Sequence, residues 1–113
     1  VKTINDINGV IDKLNKTILN PCFYIFCSHR SKSLENLLIA NNAVFVTPDD
    51  GFEDAVDTLW LLSKCQHHVF TNSTFYWWGA FLSSNNFNKD QQHIYAADNF
   101  LNQNVYLDNW YKF

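Results

Sequence analysis

Residues that carry positive charge or bend the backbone are scarce in this sequence. It has one arginine, three glycines, two prolines and no methionine. Its 8 basic residues face 11 acidic ones, so the formal net charge is −3 at pH 7. Non-specific nucleic-acid binding needs a basic surface, and this balance argues against it. No apolar run approaches the roughly 18 residues of a membrane-spanning helix.

Cysteine is also scarce, and its spacing forms no disulfide framework. The three cysteines are Cys22, Cys27 and Cys65. An odd number without regular spacing is typical of buried thiols in a reducing compartment, so we expect a cytoplasmic protein. The missing methionine, together with a valine at position 1, leads us to expect that the sequence is part of a longer protein.

Apolar and aromatic residues are abundant, at 47% and 17% of 113 residues. This composition is typical of a folded chain with a core, and the length corresponds to a single α/β domain over residues 1–113. Within residues 3–19 the apolar positions recur every three to four residues, which predicts an amphipathic helix. The Asn-Pro pair that follows would end this helix.

Short apolar runs alternate with helical patterns along the rest of the chain. The predicted strands cover residues 22–28, 43–47, 67–71 and 93–97. The further predicted helices cover residues 32–41, 53–65 and 73–84, with a turn of helix within 105–113. This alternation with short connections predicts an α/β fold, a mostly parallel Rossmann-like sheet with helices on both faces.

In such a sheet, ligands bind at the carboxyl ends of the strands, where the following helices present free N–H groups. One such place begins the run TNSTFYWWGAF. Ser73 could cap the helix while the aromatic residues pack on the sheet. Alternatively, Ser73, Thr74 and Phe75 could hold a phosphate, and one helix start can serve both purposes. Gly79 and Ala80 would let this helix approach the sheet closely.

An acidic segment ending in Asp57 is a second place at that edge. Most of its acids suit a turn and a helix N-terminus. Asp57 differs, because its helix is apolar on nearly all sides and is expected to be buried. A carboxylate there can accept two hydrogen bonds from the paired N–H groups of guanine. No spacing of acidic residues and histidines favours a metal site.

Two further groups of polar residues are more simply explained by structure than by ligand binding. His29, Arg30 and Lys32 are either exposed loop charges or, through Arg30, a phosphate contact. His67 and His68 begin a strand at the edge opposite the expected ligand side, so we assign them a structural role.

The segment DTLWLLSKCQHHVFTNSTFYWWGAFL, residues 57–82, resembles the signature region of glycosyltransferase family 11, the α-1,2-fucosyltransferases. Residues 21–28, PCFYIFCS, and 44–57, VFVTPDDGFEDAVD, resemble family segments upstream of it. The resemblance therefore covers nearly the whole chain. It implies a two-domain GT-B fold in the full enzyme, with this chain corresponding to the C-terminal, nucleotide-binding half.

The resemblance implies that this chain is a partial GDP-fucose-binding domain. It implies diphosphate contacts from Ser73, Thr74 and Phe75, a guanine contact from Asp57, and a contact with the donor nucleotide from Asn72. The full enzyme would be inverting and metal-independent, with the donor substrate GDP-fucose and no cofactor. It would transfer fucose to the 2-hydroxyl of a galactose-type acceptor, in polysaccharide synthesis. The resemblance assigns no catalytic residue and no general base to this segment.

The chain also departs from the family pattern. The given sequence does not contain the His-x-Arg-Arg-Gly-Asp motif that family members carry at the first strand of this domain. Tyr76 replaces a smaller serine, and His29-Arg30 replaces a pair of aspartates. The alternative function is therefore a degenerate stand-alone module that binds a nucleotide or a protein partner without catalysis.

The expected partners are a nucleotide sugar and, in the full enzyme, a glycan acceptor, but no nucleic acid. A missing first strand would leave a sheet edge open to pairing, so a homodimer is a further expectation. The expected location is the bacterial cytoplasm, with peripheral association to a membrane surface.

We expect this 113-residue chain alone to show weak fucose transfer or none. A departing nucleotide diphosphate is stabilised by positive groups, and the chain has one arginine. The measurement is product formation from GDP-fucose and a galactoside acceptor. Transfer at the rate of a full-length family member would contradict this expectation.

Overall fold

The computed structural model describes residues 2–28, 31–39 and 43–113. The predictions for His29 and Arg30 lie outside the described residues, as does the end of the helix predicted over 32–41. The described part of the chain contains three α-helices and five short strands. It divides into two compact units, Lys2–Ala55 and Val56–Phe113.

The N-terminal unit contains one α-helix and a two-stranded sheet. Helix α1 (Ile4–Thr17) begins after Thr3, whose hydroxyl accepts a hydrogen bond from the Asp6 N–H. The Asp6 carboxylate accepts one from the Thr3 N–H in return, which completes a capping box. Strands β1 (Tyr24–Phe26) and β2 (Val44–Val46) pair in parallel. The buried face of α1 consists of Val10, Ile11 and Leu14.

The helix predicted over residues 32–41 is wrong. Lys32–Asn36 forms a 3₁₀ helix of five residues, and none of the five is buried. Ser31 precedes it without a side-chain capping bond. Most helical stability in proteins comes from packing an apolar face, so a segment without a buried face does not extend into an α-helix.

The C-terminal unit is built on a three-stranded parallel sheet. Helix α2 (Ala55–Lys64) begins at the boundary between the units and leads into β3 (His68–Phe70). Helix α3 (Thr74–Ser84) then connects β3 to β4 (Ile94–Ala96). Both strands and both helices match the predicted segments.

The end of the chain differs from its prediction. A 3₁₀ helix forms earlier than expected, at Gln103–Val105, and Tyr111–Lys112 forms strand β5. The sheet order is β3-β4-β5, and Tyr95 of β4 lies opposite Tyr111 of β5. The described residues therefore have an α/β fold with parallel strands, as predicted, but these strands form two small sheets, one in each unit.

Helix α3 packs on the sheet through a small residue and an aromatic cluster. Ala80 is fully buried in the core of this unit, whose other buried members are Phe70, Ile94, Ala96 and Trp110. The indole Nε1–H of Trp77 donates a 2.8 Å hydrogen bond to the carbonyl oxygen of Val105. This bond ties α3 to the segment that precedes β5.

Gly79 faces helix α2 rather than the sheet. A Cβ atom at Gly79 would lie 2.8 Å from Cβ and 2.9 Å from Cδ1 of Leu62. Such distances are shorter than van der Waals contact, so the two helices are as close as a residue without a side chain allows. The expectation that Gly79 and Ala80 both serve the approach to the sheet holds for Ala80 only.

We expect Gly79→Ala to destabilise the protein by about 1–3 kcal/mol, because the new methyl group overpacks against Leu62. The measurement is the free energy of unfolding in urea. The control is Gly9→Ala in α1, where nothing lies within 4 Å of the added Cβ atom. This control should gain about 0.5–1 kcal/mol, since alanine favours a helix interior. Equal effects of the two substitutions would contradict the close packing.

Candidate functional site

The start of α3 lies directly beyond the carboxyl end of β3. Ser73 occupies the N-cap position with extended backbone angles, φ −126° and ψ 124°. Its carbonyl oxygen accepts the first helical hydrogen bond, 2.9 Å from the N–H of Trp77. Its hydroxyl, however, makes no capping bond. The predicted cap position is therefore right, but the side chain does not perform the capping role.

An unused hydroxyl at this position leaves the helix start able to bind a ligand. The first N–H groups of any α-helix lack intrahelical acceptors, and the helix dipole places partial positive charge there. Asn72 and Thr74 are exposed, while Ser73 and Phe75 are half-buried. Four of the predicted site residues thus form one continuous segment at the carboxyl end of β3.

Asp57 lies in the first turn of α2, and helix geometry relates it to this segment. Asp57 precedes Leu62 by five residues, and Thr74 precedes Gly79, the contact partner of Leu62, by five residues. Both helices join β3 through three-residue connections, and helices connected to a strand in this way commonly run antiparallel to it. Five residues correspond to about 7.5 Å of helix, so this connectivity leads us to expect Asp57 and Thr74 at a similar height beyond the carboxyl edge.

The expectation that the helix of Asp57 is buried nearly all round is wrong. Only Leu62 and Ser63 are buried in α2. Val56 is 74% exposed and Trp60 is 61% exposed, and Asp57 is exposed as well. Trp60 lies about 200° around the helix from Leu62, so it points away from the contact with α3. An apolar pattern on all sides does not reveal which side is covered.

The remaining candidates for a phosphate contact are Arg30 and Lys32. Arg30 lies outside the described residues, and Lys32 is exposed in its 3₁₀ helix. Within residues 2–28, 31–39 and 43–113, no group of three histidine, cysteine or acidic side chains could hold a metal ion. No helix in those same ranges is long and apolar enough to cross a membrane.

The histidines at the start of β3 have structural contacts, as assigned. His68 is buried, and its Nε2 lies 2.9 Å from the carbonyl oxygen of Cys65. Burial lowers the pKa of His68 to about 4. His67 Nδ1 accepts a 2.9 Å hydrogen bond from the N–H of His93. Burial also lowers the pKa of His67, and the nearby His93 adds to the effect.

Comparison with known proteins identifies the family. The family described as glycosyl transferase family 11 matches residues 1–113. This chain belongs to glycosyl transferase family 11. An alpha-1,2-colitosyltransferase of Escherichia coli is 33% identical to this family member over 76 residues, which is 63% of the chain. The alignment covers 24% of that relative, so the chain spans about a quarter of its length. No solved structure matches the chain.

We expect stability to fall as the pH decreases from 6.5 towards about 4, because the unfolded chain protonates His68 in this range and the folded chain does not. The contribution of His68 is complete above pH 6.5 and amounts to about 3 kcal/mol. His67 acts in the same direction. The measurement is urea unfolding at pH 7 and pH 4.5, compared between the natural chain and His68→Gln. An equally steep loss of stability in the variant would assign the pH dependence to other groups.

Proposed function

We propose that this chain binds the donor of a glycosyltransferase and that the donor is GDP-fucose. The observation that carries the proposal is the hydroxyl of Ser73, which occupies a helix N-cap without capping the helix. It lies beside helix N–H groups at the carboxyl end of a parallel strand, the edge at which ligands of such sheets bind.

The diphosphate is the part of the donor that suits this helix start. Phosphate oxygens accept hydrogen bonds from backbone N–H groups and hydroxyls, and the helix dipole favours their negative charge. Ser73, Thr74 and Phe75 supply these groups, and Asn72 adds an exposed amide next to them. A hydrogen bond to a charged group contributes about 1.5–3 kcal/mol, so two or three such bonds suffice for measurable binding.

The base is the part of the donor that suits Asp57. Guanine presents two adjacent N–H donors, which match the two oxygens of a carboxylate. Adenine and uracil lack this pair of donors and would leave the carboxylate without partners, which lowers their affinity. The similar height of Asp57 and Thr74 supports a nucleotide that lies along this edge, with its base at α2 and its phosphates at α3.

Membership in glycosyl transferase family 11 supports transfer of the sugar in the whole protein. In the proposed reaction, the 2-hydroxyl oxygen of a galactose-type acceptor bonds to the anomeric carbon of fucose. The bond from that carbon to the diphosphate breaks, GDP leaves, and the configuration inverts. The hydroxyl proton passes to a base that we do not assign to this chain. The Escherichia coli relative is named for colitosyl transfer with the same α-1,2 designation, so a colitosyl donor is the competing choice.

A protein-binding module without catalysis is the second candidate function. Val56 and Trp60, which lie one turn apart on α2, are largely exposed. Large exposed apolar side chains that adjoin one another mark surfaces where proteins meet. This function would leave the N-cap hydroxyl of Ser73 without a ligand.

We expect GDP to bind this chain more tightly than ADP or UDP in a calorimetric titration. Asp57→Ala should weaken GDP binding at least about tenfold and should remove the preference for guanine. Ser73→Ala combined with Thr74→Ala should weaken GDP, ADP and UDP alike, because phosphate contacts do not depend on the base.

Two substitutions serve as controls. Asp12→Ala removes an exposed carboxylate from α1, and Ser84→Ala removes a hydroxyl from the last residue of α3. Both should leave GDP binding unchanged. A folded chain that does not bind GDP, or that loses binding equally in the controls, would contradict the proposal and favour the protein-binding module.

A further inference from the structure

The C-terminal unit has a cavity at the edge opposite the start of α3. Its walls come from the residues that precede β4 and from those around the start of β5. The cavity measures about 450 Å³, within the range of roughly 300–1,000 Å³ that is common for small-molecule sites. The lining residues used below are Lys89, Asp90, Gln92, Asp108, Trp110 and Tyr111.

Two lining residues carry buried polar atoms that lack a hydrogen-bond partner among the described residues. These atoms are Oε1 of Gln92 and Nε1 of Trp110. Both residues are more than nine-tenths buried, with 4% and 7% exposure. The amide nitrogen of Gln92 donates to the carbonyl oxygen of Gln66 at 2.8 Å and to Oγ of Ser83 at 3.0 Å. The amide orientation is therefore fixed, and the unpartnered atom is an acceptor.

Of the two unpartnered atoms, Gln92 Oε1 is an acceptor and Trp110 Nε1 is a donor. Leaving buried polar groups unpaired costs free energy, so a native structure usually supplies a partner for them. A hydroxyl group can donate to Gln92 Oε1 and accept from Trp110 Nε1. Both residues line the cavity, which makes a hydroxyl bound there the partner that we infer for these atoms.

The exposed part of the lining offers an aromatic face and several polar groups. Tyr111 is half exposed, and its ring stacks on Tyr95 with centroids 4.9 Å apart and planes 22° apart. This stacking restrains the Tyr111 ring, which forms one side of the cavity. Lys89, Asp90 and Asp108 are exposed and make no ion pair with another described residue. They can bind hydroxyl groups as one donor and two acceptors.

We propose that this cavity binds a neutral sugar ring, as a carbohydrate site separate from the start of α3. A sugar combines hydroxyls that both donate and accept with an apolar ring face that packs on an aromatic side chain. Two carboxylates against one lysine disfavour an anionic ligand such as a nucleotide. A bound metal ion is disfavoured too, because the described residues contain no suitable group of ligands.

The site stands apart from the donor site in the fold. Gln92 immediately precedes His93 and β4, and Trp110 immediately precedes β5, so both lie at the amino ends of their strands. The start of α3 follows the carboxyl end of β3. A sugar at this second edge would be a remote unit of a glycan, held while the donor occupies the first edge.

The test is a titration of the ¹⁵N-labelled chain with methyl β-D-galactopyranoside, followed by NMR without any nucleotide. The indole N–H resonance of Trp110 should shift with a Kd on the order of 1–10 mM. The indole of Trp60 is the internal control, because Trp60 lies on α2, is 61% exposed and does not line the cavity. Trp110→Phe assigns the resonance. Asp108→Ala should weaken binding about fivefold or more, whereas Asp12→Ala should not.

Three results would overturn the proposal. One is a Trp110 resonance that does not move at saturating sugar. Another is an equal shift of both indoles, which indicates a general solvent effect. The third is an equal shift with glycerol at the same hydroxyl concentration, which indicates that any hydroxyl compound fills the cavity. Because no nucleotide is present, these results leave the GDP proposal untouched, and a failed GDP titration leaves this one untouched.

Discussion

The contact between Gly79 and Leu62 determines where the start of α3 lies relative to α2. A side chain at position 79 would push the helices apart, because its Cβ would lie 2.8 Å from that of Leu62. The next residue, Ala80, is fully buried on the sheet, so α3 is held against two neighbours by its two smallest residues. The position of Ser73 relative to Asp57 depends on this double packing. A candidate site that spans two helices needs such a fixed distance, because loosely packed supporting residues would misplace its binding groups.

Aromatic packing connects the two edges of the C-terminal sheet. Trp77 stacks on Phe81 with planes 7° apart and donates to the Val105 carbonyl, while its ring also contacts Trp110. Trp110 belongs to the core and also lines the cavity at the opposite edge. Trp77 therefore links α3, which begins at the candidate site, to Trp110 in the wall of the cavity.

Periodicity and turn chemistry predicted α1, α2, α3 and the first four strands, because each combines a clear apolar pattern with a nearby stop signal. They failed over residues 32–41, where the pattern is helical but the tertiary structure buries none of Lys32–Asn36. They also failed for β5, whose two residues are too few to form a pattern. The segment Asn72–Phe75 could be proposed as a site from the sequence because hydroxyls precede an aromatic helix, and the structure adds that Ser73 does not cap that helix. The cavity residues could not be proposed in this way, because Gln92 and Trp110 are 18 positions apart and come to line one cavity only once β4 and β5 pair.

Ser73 leaves α3 with an incomplete beginning. A hydroxyl that caps a helix typically stabilises it by about 1 kcal/mol, and α3 does not gain this contribution from Ser73. An anion bound at the helix start would supply the missing acceptors. The stabilisation that a capping hydroxyl normally gives would then come from the bound anion. The first turn would fray in the free protein and become rigid in the complex. Occupancy of the site could then be read from slower amide hydrogen exchange at Phe75 and Tyr76.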